Sequence, residues 1–183
     1  KNNRNSTIDD MAAEYDFAIK DTAAITKIVI EDKTPGKVIL TRGKTGWLVN
    51  GEHEARPDAI EVLLETMNRM SMRNFVPTPS HSTIIKRIAV YGKEVKVYAG
   101  DELIKHFYVG TETPDQTGTY MLLDGASQPF SVHIQGFVGY LNSRFFTEEV
   151  LWRRRILFGF DKEDIATITM NYTGDEAGSF AVD

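Results

Sequence analysis

Residues 25–70, ITKIVIEDKTPGKVILTRGKTGWLVNGEHEARPDAIEVLLETMNRM, are the stretch whose reading decides the fold. Ile25, Ile28 and Ile30, then Val38 to Leu40, then Trp47 to Val49 predict three short strands. Turns at Pro35-Gly36 and at Gly43 to Gly46 separate them. The apolar period then changes. Ile60, Leu63, Leu64, Met67 and Met70 fall on one face of a helix over residues 59–70, with Glu61, Glu65, Asn68 and Arg69 opposite. Asp58 is placed as the N-cap and Glu61 as the return arm of a capping box. Burying each apolar side chain of that stripe is worth roughly 1.5–3 kcal/mol before chain entropy is counted. A strand meander covered by an amphipathic helix is therefore the expected nucleus.

Upstream, residues 1–16 are polar and rich in asparagine at the start, which predicts a flexible leader with at most a helical turn at Thr7 to Ala13. Phe17 and Ile19 alternate with Ala18 and Lys20 as a short lead-in strand. Downstream, Pro77 and Pro79 break the chain, and a second helix is predicted from Ser82 to Tyr91, stopped at Gly92. A four-stranded meander follows: Val95 and Val97, Leu103 to Val109, Thr119 to Leu123, and Phe130 to Ile134. Phe137, Tyr140, Leu141, Phe145 and Phe146 form an aromatic connector to a helix with Thr147 as N-cap, running to about Arg155. The expected class is α+β, antiparallel meanders with amphipathic helices on one face, in strand-strand-strand-helix modules.

The ending repeats the beginning. Asp21, Ile25, Ile28 and Ile30 match Asp161, Ile165, Ile168 and Met170 at one offset, and Phe180 and Val182 stand where Val38 and Leu40 stood. The expected organisation is a leader at 1–16, an α+β domain at 17–156, and the start of a second, truncated repeat at 157–183. Its hairpin, closed through a longer loop by Gly174 and Gly178, is expected to add to the sheet of the first module.

Composition narrows the function. At 42% hydrophobic and 26% charged residues the chain is ordinary for a globular domain, and its net charge of -5 argues against a general nucleic-acid binder. The absence of cysteine excludes disulfides and thiolate catalysis within this sequence. No apolar run approaches the ~20 residues that span a bilayer, so any membrane anchor is expected to stand before Lys1.

Several stretches together resemble an uncharacterised bacterial family, domain of unknown function 4340. They are Phe17-Ala-Ile-Lys-Asp21, the strand at Ile25 to Ile30, Trp47-Leu-Val-Asn-Gly51, Ala55-Arg-Pro-Asp58, Gly118-Thr-Tyr120, Phe137, Trp152-Arg-Arg-Arg155 and Asp164-Ile165. The resemblance is to versions found in Bacteroidota. It implies a domain tethered on the periplasmic or cell-surface side of the membrane, with ABC-type transporter components, including those of gliding motility, as partners. It implies no reaction.

Candidate sites are few. His106 and His133 sit on neighbouring segments and could share a sheet face, but no third ligand stands at a metal-binding spacing, and His53 and His81 are isolated. Ser131 and His133 share a strand face without the exposed turn or orienting acid that a nucleophilic serine needs. No glycine-rich phosphate loop occurs. Trp152, Arg153, Arg154 and Arg155 are the one concentrated positive patch. They are expected to complement a helix C-terminus and pair with Asp161, Glu163 or Asp164, or else to dock an acidic partner or lipid headgroups. Asp161, Glu163 and Asp164 themselves read as turn or cap residues, and Met67, Met70 and Met72 as core filler. No catalytic residue, metal or cofactor is assigned. The expected function is a non-enzymatic envelope module mediating protein contacts. The alternatives are a small-ligand or glycan site using Tyr98, Tyr108, Tyr120 or Tyr140, and an enzyme with a non-standard site.

Overall fold

The computed structural model describes residues 15–34, 36–156, 159 and 162–182. Most of the leader, including Thr7 to Ala13, and also Pro35 and Asp161 lie outside the described residues. The chain runs β1 (Lys27–Glu31), β2 (Lys37–Arg42), β3 (Trp47–Val49), β4 (His53–Glu54), α1 (Pro57–Arg69), β5 (Met70–Phe75) and α2 (Thr78–Tyr91). It continues with β6 (Lys93–Ala99), β7 (Glu102–Glu112), β8 (Thr119–Leu123), β9 (Phe130–Ile134), α3 (Glu149–Trp152), β10 (Ile168–Tyr172) and β11 (Asp175–Val182).

Nine strands form one antiparallel sheet in the order β4-β3-β2-β1-β6-β7-β8-β9-β5. The two meanders join through β1 and β6, where Ile28 faces Val97 and Ile30 faces Val95. The strand β5, hidden in sequence between the helix and Pro77, closes the far edge against β9. Helix α1 therefore leaves one edge of the sheet and delivers the chain to the other. Nine strands laid flat would spread over about 38 Å, whereas a 13-residue helix reaches only about 20 Å. The sheet must curl around α1 for both to hold. Ile60, Leu63 and Met67 of α1 fill the concave side with Ile28, Leu40, Val97, Phe107 and Phe130.

The convex side has its own helix. Tyr108 lies between buried Phe107 and Val109, so alternation points it outward. There Tyr108, Tyr120 and Leu122 pack against Val76, Ile84 and Ile88, the two isoleucines from α2. The expectation of helices on one face is thus corrected: α1 and α2 flank opposite faces of an α+β fold. Gly110 permits the close seat of α2, since a Cβ there would stand 2.7 Å from Cγ1 of Ile88 and 2.8 Å from the carbonyl oxygen of Tyr120.

Local signals explain the remaining differences. α1 starts at Pro57, not Ala59, with Arg56 as the flanking residue and no side-chain cap. Proline suits the first helical position because its missing N–H has no helical partner to lose. Asp58 therefore sits inside the first turn, ion-paired to Arg56. Leu64 is half-buried rather than part of the core. α2 starts at Thr78, earlier than Ser82, because Pro79 is likewise tolerated in the first turn. α3 is a single turn, not a helix to Arg155. The Thr147 hydroxyl is committed to Asp32 at 2.5 Å instead of capping. Finally, β10 and β11 form a two-stranded sheet of their own and do not add to the large one. They are joined by a tight turn at Thr173-Gly174, shorter than the predicted loop.

The loop between β7 and β8 is organised by Asp115. Its carboxylate accepts from the hydroxyls of Thr113 and Thr117, each at 2.5 Å, and from Arg73 at 3.1 Å. The Thr113 hydroxyl, then that of Thr117, pull this carboxyl from 3.8 to about 2. A depressed acid stabilises the fold above its ordinary value and ceases to do so as pH falls through the folded one. A carboxyl NMR titration is therefore expected to place Asp115 near pH 2, with its contribution lost between pH 3.8 and 2. Asp115→Asn should flatten the stability change in that window, and a midpoint at the ordinary value would refute the arrangement.

Candidate functional site

The segment around α3 returns to the open edge of the sheet and closes it. Trp152 is fully buried. Its indole N–H donates to the carbonyl of Phe146 at 2.9 Å, and its ring lies 4.1 Å from that of Phe146. Beside it the backbones interlock: Arg56 N–H donates to the Trp152 carbonyl at 2.7 Å, and Arg154 N–H to that of Glu54 at 2.8 Å. Ala55 and Arg153 form a β-bridge. The edge strand β4, which would otherwise present unpaired backbone groups, is thereby covered.

This geometry divides the four-residue patch. Trp152 belongs to the core and contributes nothing to the surface. The arginines are exposed, and among the described residues they pair with neither Glu163 nor Asp164. Arg154 pairs with Glu54 at 2.9 Å, Arg153 approaches Glu149 at 3.8 Å, and Arg155 donates to the Val150 carbonyl at 3.2 Å. The Arg154–Glu54 pair could not be read from the sequence, because it follows from the return of residues 152–154 to β4, whereas the partners of Arg153 and Arg155 are local. Glu149 is further held by Asn50 at 2.8 Å and lies 3.4 Å from His53. Val150, Leu151 and Ile156 stand exposed among the arginines.

A cleft of about 660 Å³ adjoins this surface, between the β2–β3 turn and α1. Trp47, Ile60 and Leu64 line it together with Lys44, Glu61, Glu65 and Arg154. In sequence Leu64 reads as core and Glu61 as part of a cap, and neither reading points to a cleft. The signal available was the width of the α1 stripe, which is broader than the part α1 buries.

A group of four titratable side chains, Glu94, His106, Tyr108 and Asp124, meets on the convex face. His106 Nε2 is 2.8 Å from Glu94 and Nδ1 is 3.2 Å from Asp124, to which Tyr108 also donates at 3.1 Å. A ring carrying hydrogens on both nitrogens can donate to both carboxylates, a neutral ring to one. Lys96, hydrogen-bonded at 2.8 Å, holds the Glu94 carboxyl below its usual range. Burial, then the Asp124 contact, pushes the Tyr108 phenol up to about 12. The sequence held a signal for this cluster, since Glu94 and Lys96 alternate with buried valines.

Other candidates separate. His106 and His133 share the outer face but not a site. Pairing of β7, β8 and β9 puts His106 level with Asp124 and His133 level with Gly118, six residues apart along β8. That is roughly 20 Å along the strand. His81 lies 2.7 Å from the Val76 carbonyl. Among the described residues, no three His, Cys, Asp or Glu side chains group to hold a metal ion. Ser131 is buried, with a hydroxyl lacking a hydrogen-bond partner among the described residues, and it is not offered to a substrate. Glu163 and Asp164 lie in a 3-10 turn. Met67 and Met70 are core, and Met72 packs against it. Of the tyrosines, Tyr108 and Tyr120 line two different clefts and Tyr98 carries Lys27 over its ring. Tyr108 and Tyr120 share the cluster under α2 and Tyr140 is exposed, but none of these clefts is lined by more than one of the four.

The comparisons with known proteins bear on this architecture directly. The pattern of the family Domain of unknown function (DUF4340) matches residues 47–183. The chain belongs to the DUF4340 family. The match runs from Trp47 through the edge-closing segment and both strands of the terminal hairpin. Searches of curated proteins and of solved structures gave no match. Among the described residues no helix is long and apolar enough to cross a membrane.

Proposed function

We propose that this DUF4340 domain works by contact rather than by catalysis, docking a protein partner on the face built by Val150, Leu151, Ile156, Arg153 and Arg155. The observation that carries the reading is the pairing of exposed apolar side chains with arginines on a segment fixed by its own buried Trp152. A segment already ordered loses little conformational freedom on binding. Arginine forks match carboxylates, and apolar centres rimmed by charge are the usual anatomy of such contacts. The partner is therefore one with carboxylates around an apolar contact. Its setting is taken from the resemblance: the periplasmic or cell-surface side of a bacterial envelope, of the Bacteroidota type, beside ABC-type transporter components.

The test is site-specific photocrosslinking in cells that make the full protein. A crosslinker at Leu151 or Ile156 is expected to give a discrete protein adduct, lost when Arg153 and Arg155 are both changed to Glu. The same probe at Lys86, on the exposed side of α2, should give none. No adduct at either position, or equal adducts at Lys86, would sink the reading.

A second reading rests on the 660 Å³ cleft beside Trp47, whose size suits a small ligand or sugar. It predicts ligand-dependent quenching of Trp47 that Leu64→Asp abolishes.

A further inference from the structure

The terminal hairpin has the register of the first one. In β1–β2, Ile28 pairs with Leu40 and Ile30 with Val38. In β10–β11, Ile168 pairs with Val182 and Met170 with Phe180. Each set is two cross-strand apolar pairs, two residues apart, on a single face. The approach is similar too. A turn closed by Asp21, whose carboxylate accepts from Ala23 and Ala24, precedes β1, and the 3-10 turn Lys162–Asp164 precedes β10. The opposite face of the second hairpin carries Thr169, Asn171 and Ser179 with the small Ala181, so one side is strongly apolar and the other mainly polar, the pattern of a strand pair meant to be covered.

The second hairpin has a tighter turn and a bulge after Met170, but across these four positions the difference is the cover. Ile28, Ile30, Val38 and Leu40 are 0% exposed, whereas Ile168, Met170, Phe180 and Val182 are 53%, 42%, 49% and 56% exposed. In the first hairpin that face shares a core with Ile60, Leu63 and Met67 of α1. We infer that the β10–β11 face is a docking site for an amphipathic helix of the α1 kind, with apolar residues at i, i+3 and i+7. The dimensions fit, since a helix about 10 Å across covers two strands about 4.8 Å apart. Face-to-face pairing with a second copy fits less well. Four half-exposed side chains offer on the order of 400 Å², against the roughly 800 Å² per partner of a stable interface. This inference is independent of the arginine face.

The probe is a synthetic peptide of residues 57–70 added to the full chain, followed by methyl and amide NMR. Saturable shifts are expected at Ile168, Met170 and Val182, with affinity at least tenfold weaker for Met170→Asp or Phe180→Asp chains and for a peptide carrying Leu63→Asp. Because both positions are exposed, the variant chains should keep the parent melting temperature, which separates lost docking from lost folding. No saturable shift at millimolar peptide would overturn the inference, as would shifts that survive Met170→Asp. Self-association abolished by Met170→Asp would overturn it in favour of a second copy.

Discussion

Trp152→Ala is expected to lower stability by about 3–5 kcal/mol, the range for truncating a fully buried tryptophan. Two effects add. The cavity lies between Phe146 and the edge strand, where the Phe146 carbonyl would lose the indole N–H it now accepts. The bond is part-buried, so losing its donor costs less than the about 1–3 kcal/mol of a fully buried carbonyl. The consequence reaches further than the cavity, because Trp152 fixes the backbone that pairs with 54–56. Amide exchange at Arg56, whose N–H donates to the Trp152 carbonyl, should accelerate in the variant beyond the change in global stability. Trp152→Phe should lose less, keeping most of the ring contact and giving up the hydrogen bond. A urea midpoint shift at constant m-value measures the difference. A loss under about 1 kcal/mol in the alanine variant would show that the segment is not anchored through this side chain.

That anchor illustrates how far the sequence could be read. The strands β1–β3 and β6–β9 were legible because alternation on a half-buried sheet is a local signal. Trp152 was not, because tryptophan followed by three arginines has the same local pattern whether it lies at a surface or closes a distant edge. Its burial depends on residues 152–154 meeting 54–56, a pairing about a hundred residues away in sequence. β5 was missed for a related reason. Met70-Ser-Met-Arg-Asn-Phe75 alternates poorly, and a bulge between Met72 and Asn74 breaks its register. The His106 cluster was half legible: the wet face of β6 was readable, but its meeting with Asp124 required the register of β7 with β8. The terminal hairpin was legible as two strands with Ile168, Met170, Phe180 and Val182 alternating, although its turn is tighter than expected and it stands apart from the large sheet. Its lack of cover was not, because burial is a property of what packs above a face and not of the face itself.

The contrast between Leu63 and Leu64 turns the same point into a measurement. Adjacent leucines on an amphipathic helix look equivalent in sequence, yet Leu63 is 0% exposed while Leu64 lines the cleft beside Trp47. Leu63→Ala is expected to cost about 2–5 kcal/mol, because the enclosing side chains of the core cannot collapse into the vacated space and a cavity remains. Leu64→Ala removes methyl groups from the wall of a space already open to water. Its transfer cost is smaller for a half-buried side chain, and no closed cavity is left, so about 1 kcal/mol is expected. Urea denaturation of the two variants side by side separates these terms without reference to an absolute stability. A difference of at least about 1 kcal/mol in favour of Leu64→Ala is the expected outcome. Equal losses near the upper figure would mean that Leu64 is enclosed in solution, that the cleft is closed by something seated in it, and that α1 buries the full stripe its sequence offers.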